Sequence, residues 1–215
     1  ALLLCTQHKK VNPSLLIVPA SLLGNWRNEA ERFAPSLKLT FLHPSEIDKQ
    51  TLAKIAESPE AYLADSDLVV TTYSMLIRQE WLFEQYWQLA ILDEAQAIKN
   101  PGTRQSRAVK KLSAHARVVL TGTPVENRLG DLWSIFDFLN PGLLGSANVF
   151  TSFVNQIQAR KQEQFAPLRR LVGPYILRRM KTDRKIIADL PSKTEMTCYC
   201  HLTKQQVKLY EQVVQ

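Results

Sequence analysis

Short apolar runs alternate along the chain with longer amphipathic stretches. Leu15 to Val18, Asp67 to Thr72, Leu89 to Leu92 and Val118 to Leu120 are apolar runs of strand length, and such runs read as buried strands. Leu37 to Leu42 alternates apolar and polar positions and reads as a further strand. Helical patterns lie between them. One starts at Ser21 as N-cap and runs to Phe33, with Leu22, Leu23, Trp26, Ala30 and Phe33 on one face. Ile47 to Ala64, interrupted near Pro59, Ser74 to Tyr86, and Thr103 to Leu112 supply the others. Strands alternating with helices predict a parallel sheet covered on both faces. Right-handed crossovers then put every strand's carboxyl end on one edge. That edge should gather Pro19, Thr71, Asp93 and Thr121.

The pattern changes after Pro141. Val149 to Arg160 and Gln164 to Val172 are amphipathic at helical spacing with no strand between them, and Pro174 breaks the run. Lys193 to His201 alternates and reads as a strand. Thr203 is the N-cap of a helix to Val214. There is no internal repeat and no low-complexity segment.

Composition narrows the class. The chain has 215 residues, 45% of them hydrophobic, which suits one full domain and an appendage. No apolar stretch is long enough to span a bilayer. Ala1 to Leu4 is too short for a secretory apolar region and lacks a basic segment before it. Three cysteines, an odd number without framework spacing, suit a reducing intracellular compartment. Lys and Arg number 27 against 20 Asp and Glu, a formal net charge of +7. That excess favours a polyanionic partner through counterion release, and a solvated basic surface accounts for it equally. Cys198 and Cys200 fall on one face of an alternating segment and His201 on the other. No second cluster completes four zinc ligands.

Two strand ends carry the chemistry. Leu89 to Leu92 ends abruptly in Asp93-Glu94. Carboxylates at the carboxyl end of a parallel strand sit where open α/β sheets bind ligands. One can hold Mg²⁺ through its water shell, and its neighbour can orient or deprotonate an attacking water. Acids also favour the first turn of a helix, and that reading stands beside the catalytic one. Arg117 to Leu120 ends in Thr121-Gly122-Thr123-Pro124. Two hydroxyls beside a glycine can approach a phosphate site without obstruction.

Taken together the blocks resemble the first RecA-like lobe of a Swi/Snf-type ATPase, a branch of the superfamily 2 helicases. Leu15 to Pro19 with Ser21 to Trp26 resembles motif Ia, and Asp67 to Tyr73 motif Ib. Asp93 to Asn100 resembles motif II, and Leu120 to Asn127 motif III. Leu132 to Pro141 resembles the stretch after it. Tyr175 to Arg179, with Asp189-Leu190-Pro191, resembles the segment linking the lobes. The resemblance implies a first lobe over 1–141, a helical protrusion and linker over 142–192, and the start of a second lobe over 193–215.

The resemblance also implies roles. Asp93 holds the Mg²⁺ of bound ATP through water, Glu94 polarises the attacking water, and Gln96 bridges motif II to motif III. Thr121, Gly122 and Thr123 relay nucleotide state to the DNA face. Ser21, Asn25, Thr71, Thr72, Lys99, Asn100 and Arg104 contact the phosphates of double-stranded DNA without reading its bases. Arg178 and Arg179 act between the lobes. Trp26 is expected to be a core anchor. The implied parent is an ATP-driven duplex-DNA translocase that remodels DNA–protein complexes, in the cytoplasm or nucleoid of a prokaryote or the nucleus of a eukaryote. Compact spacing between the motifs leans toward a prokaryote. The sequence lacks Gly-x-x-x-x-Gly-Lys-Ser/Thr, so these residues read as part of a larger ATPase and are expected to be inactive alone. A non-hydrolysing module that docks DNA or protein, and a superfamily 2 RNA helicase, are the alternatives. The second conflicts with Thr-Gly-Thr where RNA helicases have Ser-Ala-Thr.

Overall fold

A computed structural model describes residues 12–123, 129–159, 165–178, 194 and 196–214. The chain divides into two compact units, Ala1–Gln162 and Glu163–Gln215.

The first unit is built on five strands: β1 Ser14–Val18, β2 Leu39–Leu42, β3 Leu68–Thr72, β4 Tyr86–Leu92 and β5 Ser113–Val119. Every pairing is parallel, in the order β2-β3-β1-β4-β5. Its helices are α1 Leu23–Phe33, α2 Lys49–Glu57, α3 Pro59–Leu63, α4 Tyr73–Arg78, α5 Arg104–Lys110, α6 Leu129–Leu139 and α7 Ala147–Ala159. The strand period of two sends alternate residues to opposite faces. Leu15, Ile17, Ala90 and Leu92 join a core with Tyr73, Leu76 and Val109 from α4 and α5. Leu16, Val18, Leu89 and Ile91 pack with Leu23 and Trp26 of α1. The expected parallel sheet with helices on both faces is what forms. Among the described residues no helix is long and apolar enough to cross a membrane.

Several boundaries differ from expectation, each for a local reason. Ser21 does not cap α1. The chain first makes a 3₁₀ turn, Ala20–Leu22, in which Leu22 N–H donates to the Pro19 carbonyl at 2.9 Å, and α1 starts with no side-chain cap. Phe33 is 66% exposed, its ring covered by the Arg32 guanidinium 5.0 Å away. The helix from Tyr73 stops at Arg78, a 3₁₀ turn Glu80–Phe83 follows, and Tyr86 already belongs to β4. Trp81 and Leu82 are buried by that tight turn, and Trp87 Nε1–H donates to the Leu82 carbonyl at 3.0 Å. β5 begins at Ser113, well before Val118, because an edge strand tolerates the polar and small residues that hid its start. Thr103 and Thr203 do cap their helices, donating groups being Ser106 N–H at 3.2 Å and Gln206 N–H at 3.3 Å.

The second unit holds α8 Ala166–Val172, a 3₁₀ turn Gly173–Tyr175 and α9 Lys204–Val214. The turn falls at Pro174, where the pattern was expected to break. The strand expected over Lys193 to His201 is absent among the described residues of that segment. Alternation makes a strand only where a neighbour completes the ladder.

β5 is fixed by Arg117, whose guanidinium donates to the Phe138 carbonyl at 3.0 Å and the Leu112 carbonyl at 2.9 Å. Arg117→Ala should lower stability by about 2 kcal/mol in urea unfolding, and Arg117→Lys should recover little of it, because an ammonium cannot fork between two carbonyls.

Candidate functional site: two acids at the carboxyl rim of the sheet

Parallel pairing delivers the strand ends to one rim, and its ladder continues past them. Asp93 N–H donates to the Ile17 carbonyl at 2.9 Å, and Leu120 N–H to the Leu92 carbonyl at 2.8 Å. Ala95 N–H then donates back to the Leu120 carbonyl at 3.2 Å. The segments carrying Asp93-Glu94 and Thr121 are thus stitched side by side. A cleft of about 690 Å³ lies at the other edge, among the strand starts, lined by Ser14, Asp67 and Tyr86. It is remote from the acids in the sheet.

Asp93 is held from three directions. Its Oδ2 accepts from Trp26 Nε1–H at 2.7 Å, its Oδ1 from Glu94 N–H at 2.9 Å, and its carbonyl from Tyr73 Oη–H at 2.8 Å. Trp26 was expected to be only a core anchor. It does pack on the sheet, half-buried, and its one polar atom points at the motif II carboxylate. An indole N–H usually finds a partner when its ring is buried, and α1 follows β1, the neighbour of β4. The first of these was a signal that an acceptor exists, but not of which residue supplies it. Tyr73 closes the motif Ib block, and no role was expected of its hydroxyl. Its pKa lies well above the usual tyrosine value, first through burial and then through the charges of Asp93 and Glu94. It remains a neutral donor throughout the biological range.

Glu94 leaves the strand in a left-handed conformation, φ 48° and ψ 56°. It is the one non-glycine residue with positive φ among those described. A left-handed L-residue costs roughly 1–2 kcal/mol, and such geometry concentrates at functional sites. The turn carries the carboxylate off the strand direction and starts the 3₁₀ turn Ala95–Ile98.

The remaining expected site residues divide into exposed and internally engaged. Gln96, Ser21, Asn25, Asn100 and Arg104 are exposed. The Asn100 side chain accepts from Gly102 N–H at 2.9 Å. Thr71 is fully buried and its hydroxyl donates to the Leu42 carbonyl at 2.9 Å. Thr72 is also buried and caps α4, accepting from Met75 N–H at 3.2 Å. Lys99, expected as an exposed phosphate contact, is only 8% exposed. Its Nζ reaches the Thr123 hydroxyl at 3.4 Å, and Thr123 N–H donates to Thr121 Oγ1 at 3.2 Å. Lys99 therefore links the motif II turn to the Thr-Gly-Thr segment. A Cβ on Gly122 would meet no atom within 4 Å, so the space over that segment is open. Arg178 is exposed, and Arg179 lies outside the described residues. So do Pro124 to Asn127, the rest of the motif III block. Among the described residues no group of three or more His, Cys, Asp or Glu gathers as a metal site. A hydrated Mg²⁺ held by one carboxylate needs no such group.

Comparison with known proteins agrees with the fold. The SNF2-related domain profile matches residues 1–215. The chain is 39% identical over 209 residues to the putative ATP-dependent helicase/translocase YwqA of Bacillus subtilis, covering 96% of this chain and 22% of that protein. It is 36% identical to the TATA-binding protein-associated factor MOT1 of Saccharomyces cerevisiae, covering 92% of this chain and 11% of MOT1. The Sulfolobus solfataricus SWI2/SNF2 ATPase core in complex with dsDNA superposes with a TM-score of 0.76 at 42% identity, over 99% of this chain and 43% of that one. The chain therefore spans less than half the length of each of these proteins.

Two measurements test the described geometry. A tyrosine pKa raised on folding keeps the proton bound in the folded state after the unfolded chain has lost it. The stabilisation is complete below the ordinary value of 10.0 and declines as pH rises above it. Tyr73→Phe should cost about 1 kcal/mol at neutral pH and make the alkaline decline shallower than in the wild type. Glu94→Val should be about 1 kcal/mol less stable than Glu94→Gly, because only glycine takes φ 48° without strain. Equal stability of those two variants would contradict a left-handed turn at this position.

Proposed function

The chain belongs to the SNF2-related domain family, and on that premise we propose that it supplies the water-activating and DNA-contacting face of an ATP-dependent translocase on double-stranded DNA. The fold is the RecA-like sheet of the SWI2/SNF2 cores. We assign 1–141 to the first lobe, 142–192 to a helical protrusion and linker, and 193–215 to the start of the second lobe. The observation that carries the reading is the fixed Asp93-Glu94 pair beside Thr121 at the carboxyl rim.

The donor set suits a hydrated Mg²⁺ with ATP. A carboxylate offers about four lone-pair sites. Two on Asp93 are taken, by Trp26 and Glu94 N–H, which leaves acceptor capacity on each oxygen. Bound Mg²⁺ would supply charge neutralisation at the phosphates. Glu94, turned off the strand, orients and deprotonates water. Gln96, exposed one turn later, has both a donor and an acceptor for reading the γ-phosphate region. Lys99 and Thr123 join that turn to Thr121, a direct route from nucleotide to motif III.

On the nucleic-acid side, Ser21, Asn25, Asn100 and Arg104 are the exposed members of the expected set. They support backbone contacts, which carry no base preference. The hydroxyls of Thr71 and Thr72 serve the fold, so we assign phosphate contact to the exposed four. The similarity to MOT1 and to a core bound to dsDNA supports duplex DNA, with DNA-bound proteins as further partners. The 215 residues contain no Gly-x-x-x-x-Gly-Lys-Ser/Thr run, and we expect them to hydrolyse no ATP on their own.

The full-length protein containing this chain should show ATPase activity stimulated by duplex DNA. Glu94→Gln should reduce it by roughly 10²–10⁴-fold while leaving the protein folded. Stimulation by RNA and not by duplex DNA would favour the RNA-helicase reading. DNA binding without ATP turnover would favour a docking module.

A further inference from the structure

The Trp26–Asp93 hydrogen bond joins two surfaces that the proposed function treats separately. Trp26 lies on α1, directly after the exposed Asn25 and within two turns of the exposed Ser21. Its indole N–H reaches Asp93 Oδ2 at 2.7 Å across 67 residues of sequence. The other three tryptophans donate to uncharged acceptors: Trp81 to the Gln79 amide, Trp87 to the Leu82 carbonyl and Trp133 to the Gly145 carbonyl. Trp26 alone gives its N–H to a carboxylate.

The chemistry of that donor matters. A guanidinium or ammonium in its place would neutralise Asp93 and compete with a cation. An indole N–H orients one oxygen and leaves the negative charge intact. The bond is also mechanically short. Leu23 buries α1 at 3% exposure, and Arg27 stacks on Phe41 at 4.5 Å and pairs with Glu46. A tilt or shift of so anchored a helix either carries the Asp93 carboxylate with it or breaks the bond.

We propose that Trp26 is a positioning residue that couples the seating of α1 on a nucleic-acid backbone to the orientation of the Asp93 carboxylate toward a divalent cation. The inference rests on the reading of Asp93 as the cation carboxylate and of Ser21 and Asn25 as phosphate contacts. Coupling between two binding sites is reciprocal. The backbone on α1 therefore changes affinity for Mg·ADP by the same factor by which Mg·ADP changes affinity for duplex DNA. The indole carries no proton to the reaction and does not touch the water.

The test uses full-length protein and two readouts. Duplex-DNA affinity is measured by anisotropy with and without Mg·ADP, in wild type and Trp26→Phe. The wild type should show a nucleotide-dependent change in affinity, and Trp26→Phe should reduce that factor by about threefold or more and bring it toward one. The second readout needs no change at Trp26. In wild-type protein labelled with 5-fluorotryptophan, the ¹⁹F resonance displaced by Asp93→Asn should shift on adding Mg·ADP, and shift also on adding duplex DNA without nucleotide. Retention of the full coupling factor in Trp26→Phe, or a Trp26 resonance that ignores DNA, would overturn the proposal. A wild type that binds neither DNA nor Mg·ADP would instead overturn the functional reading beneath it.

Discussion

The site depends on β4 lying between β1 and β5 in a parallel ladder that runs on beyond the strands. Asp93 N–H is held by the Ile17 carbonyl on one side, and the Leu92 carbonyl is held by Leu120 N–H on the other. Past these bonds the chain leaves the strand direction within one residue. The left-handed Glu94 is that turn, and Ala95 N–H closes it onto the Leu120 carbonyl. The place of Asp93 and Glu94 at the rim therefore follows from backbone pairing, before any side chain is considered.

Side chains then decide how two adjacent acids are tolerated there. Unpaired carboxylates withdrawn from water are costly, and hydrogen bonds lower that cost. Here the donors to the Asp93 carboxylate are the Trp26 indole and the Glu94 amide, both neutral, while the Tyr73 hydroxyl holds the Asp93 main-chain carbonyl. They fix geometry without cancelling charge. The Tyr73 hydroxyl is driven upward by burial and by the two acids, which keeps it a donor. The indole and amide donors hold the Asp93 carboxylate in one orientation, the preorganisation that the proposed phosphoryl chemistry would rely on.

Sequence reasoning read the backbone level well and the side-chain level unevenly. Apolar runs ending in Asp93-Glu94 and in Thr121-Gly122-Thr123 located the rim, because strand length and period are local properties. The start of β5 at Ser113 was not legible, since an edge strand need not be apolar. Lys99 looked like a surface cation, and its burial depends on the Thr123 loop 24 residues away. Thr71 and Thr72 looked like phosphate ligands, and their hydroxyls are instead engaged by a neighbouring strand and a helix cap. Trp26 fell between these cases. Its ring was legible as core, but its acceptor was not, because that lies on another strand.

These displacements bear on how the two proposed binding surfaces can communicate. With Thr71 and Thr72 turned inward, motif Ib offers the rim structural support more than hydroxyl contacts, and the exposed groups cluster around α1 and the start of α5. Each of those elements is tied to the rim by a specific bridge. α1 reaches Asp93 through Trp26, and the turn before α5 reaches Thr123 through Lys99. Loops that moved independently of the sheet could transmit little, because their displacement would be absorbed by solvent-exposed backbone. The Trp26 bridge, a single hydrogen bond between a packed helix and the end of β4, leaves little such slack, and this makes the flank of Asp93 the natural place for binding at one proposed surface to be felt at the other.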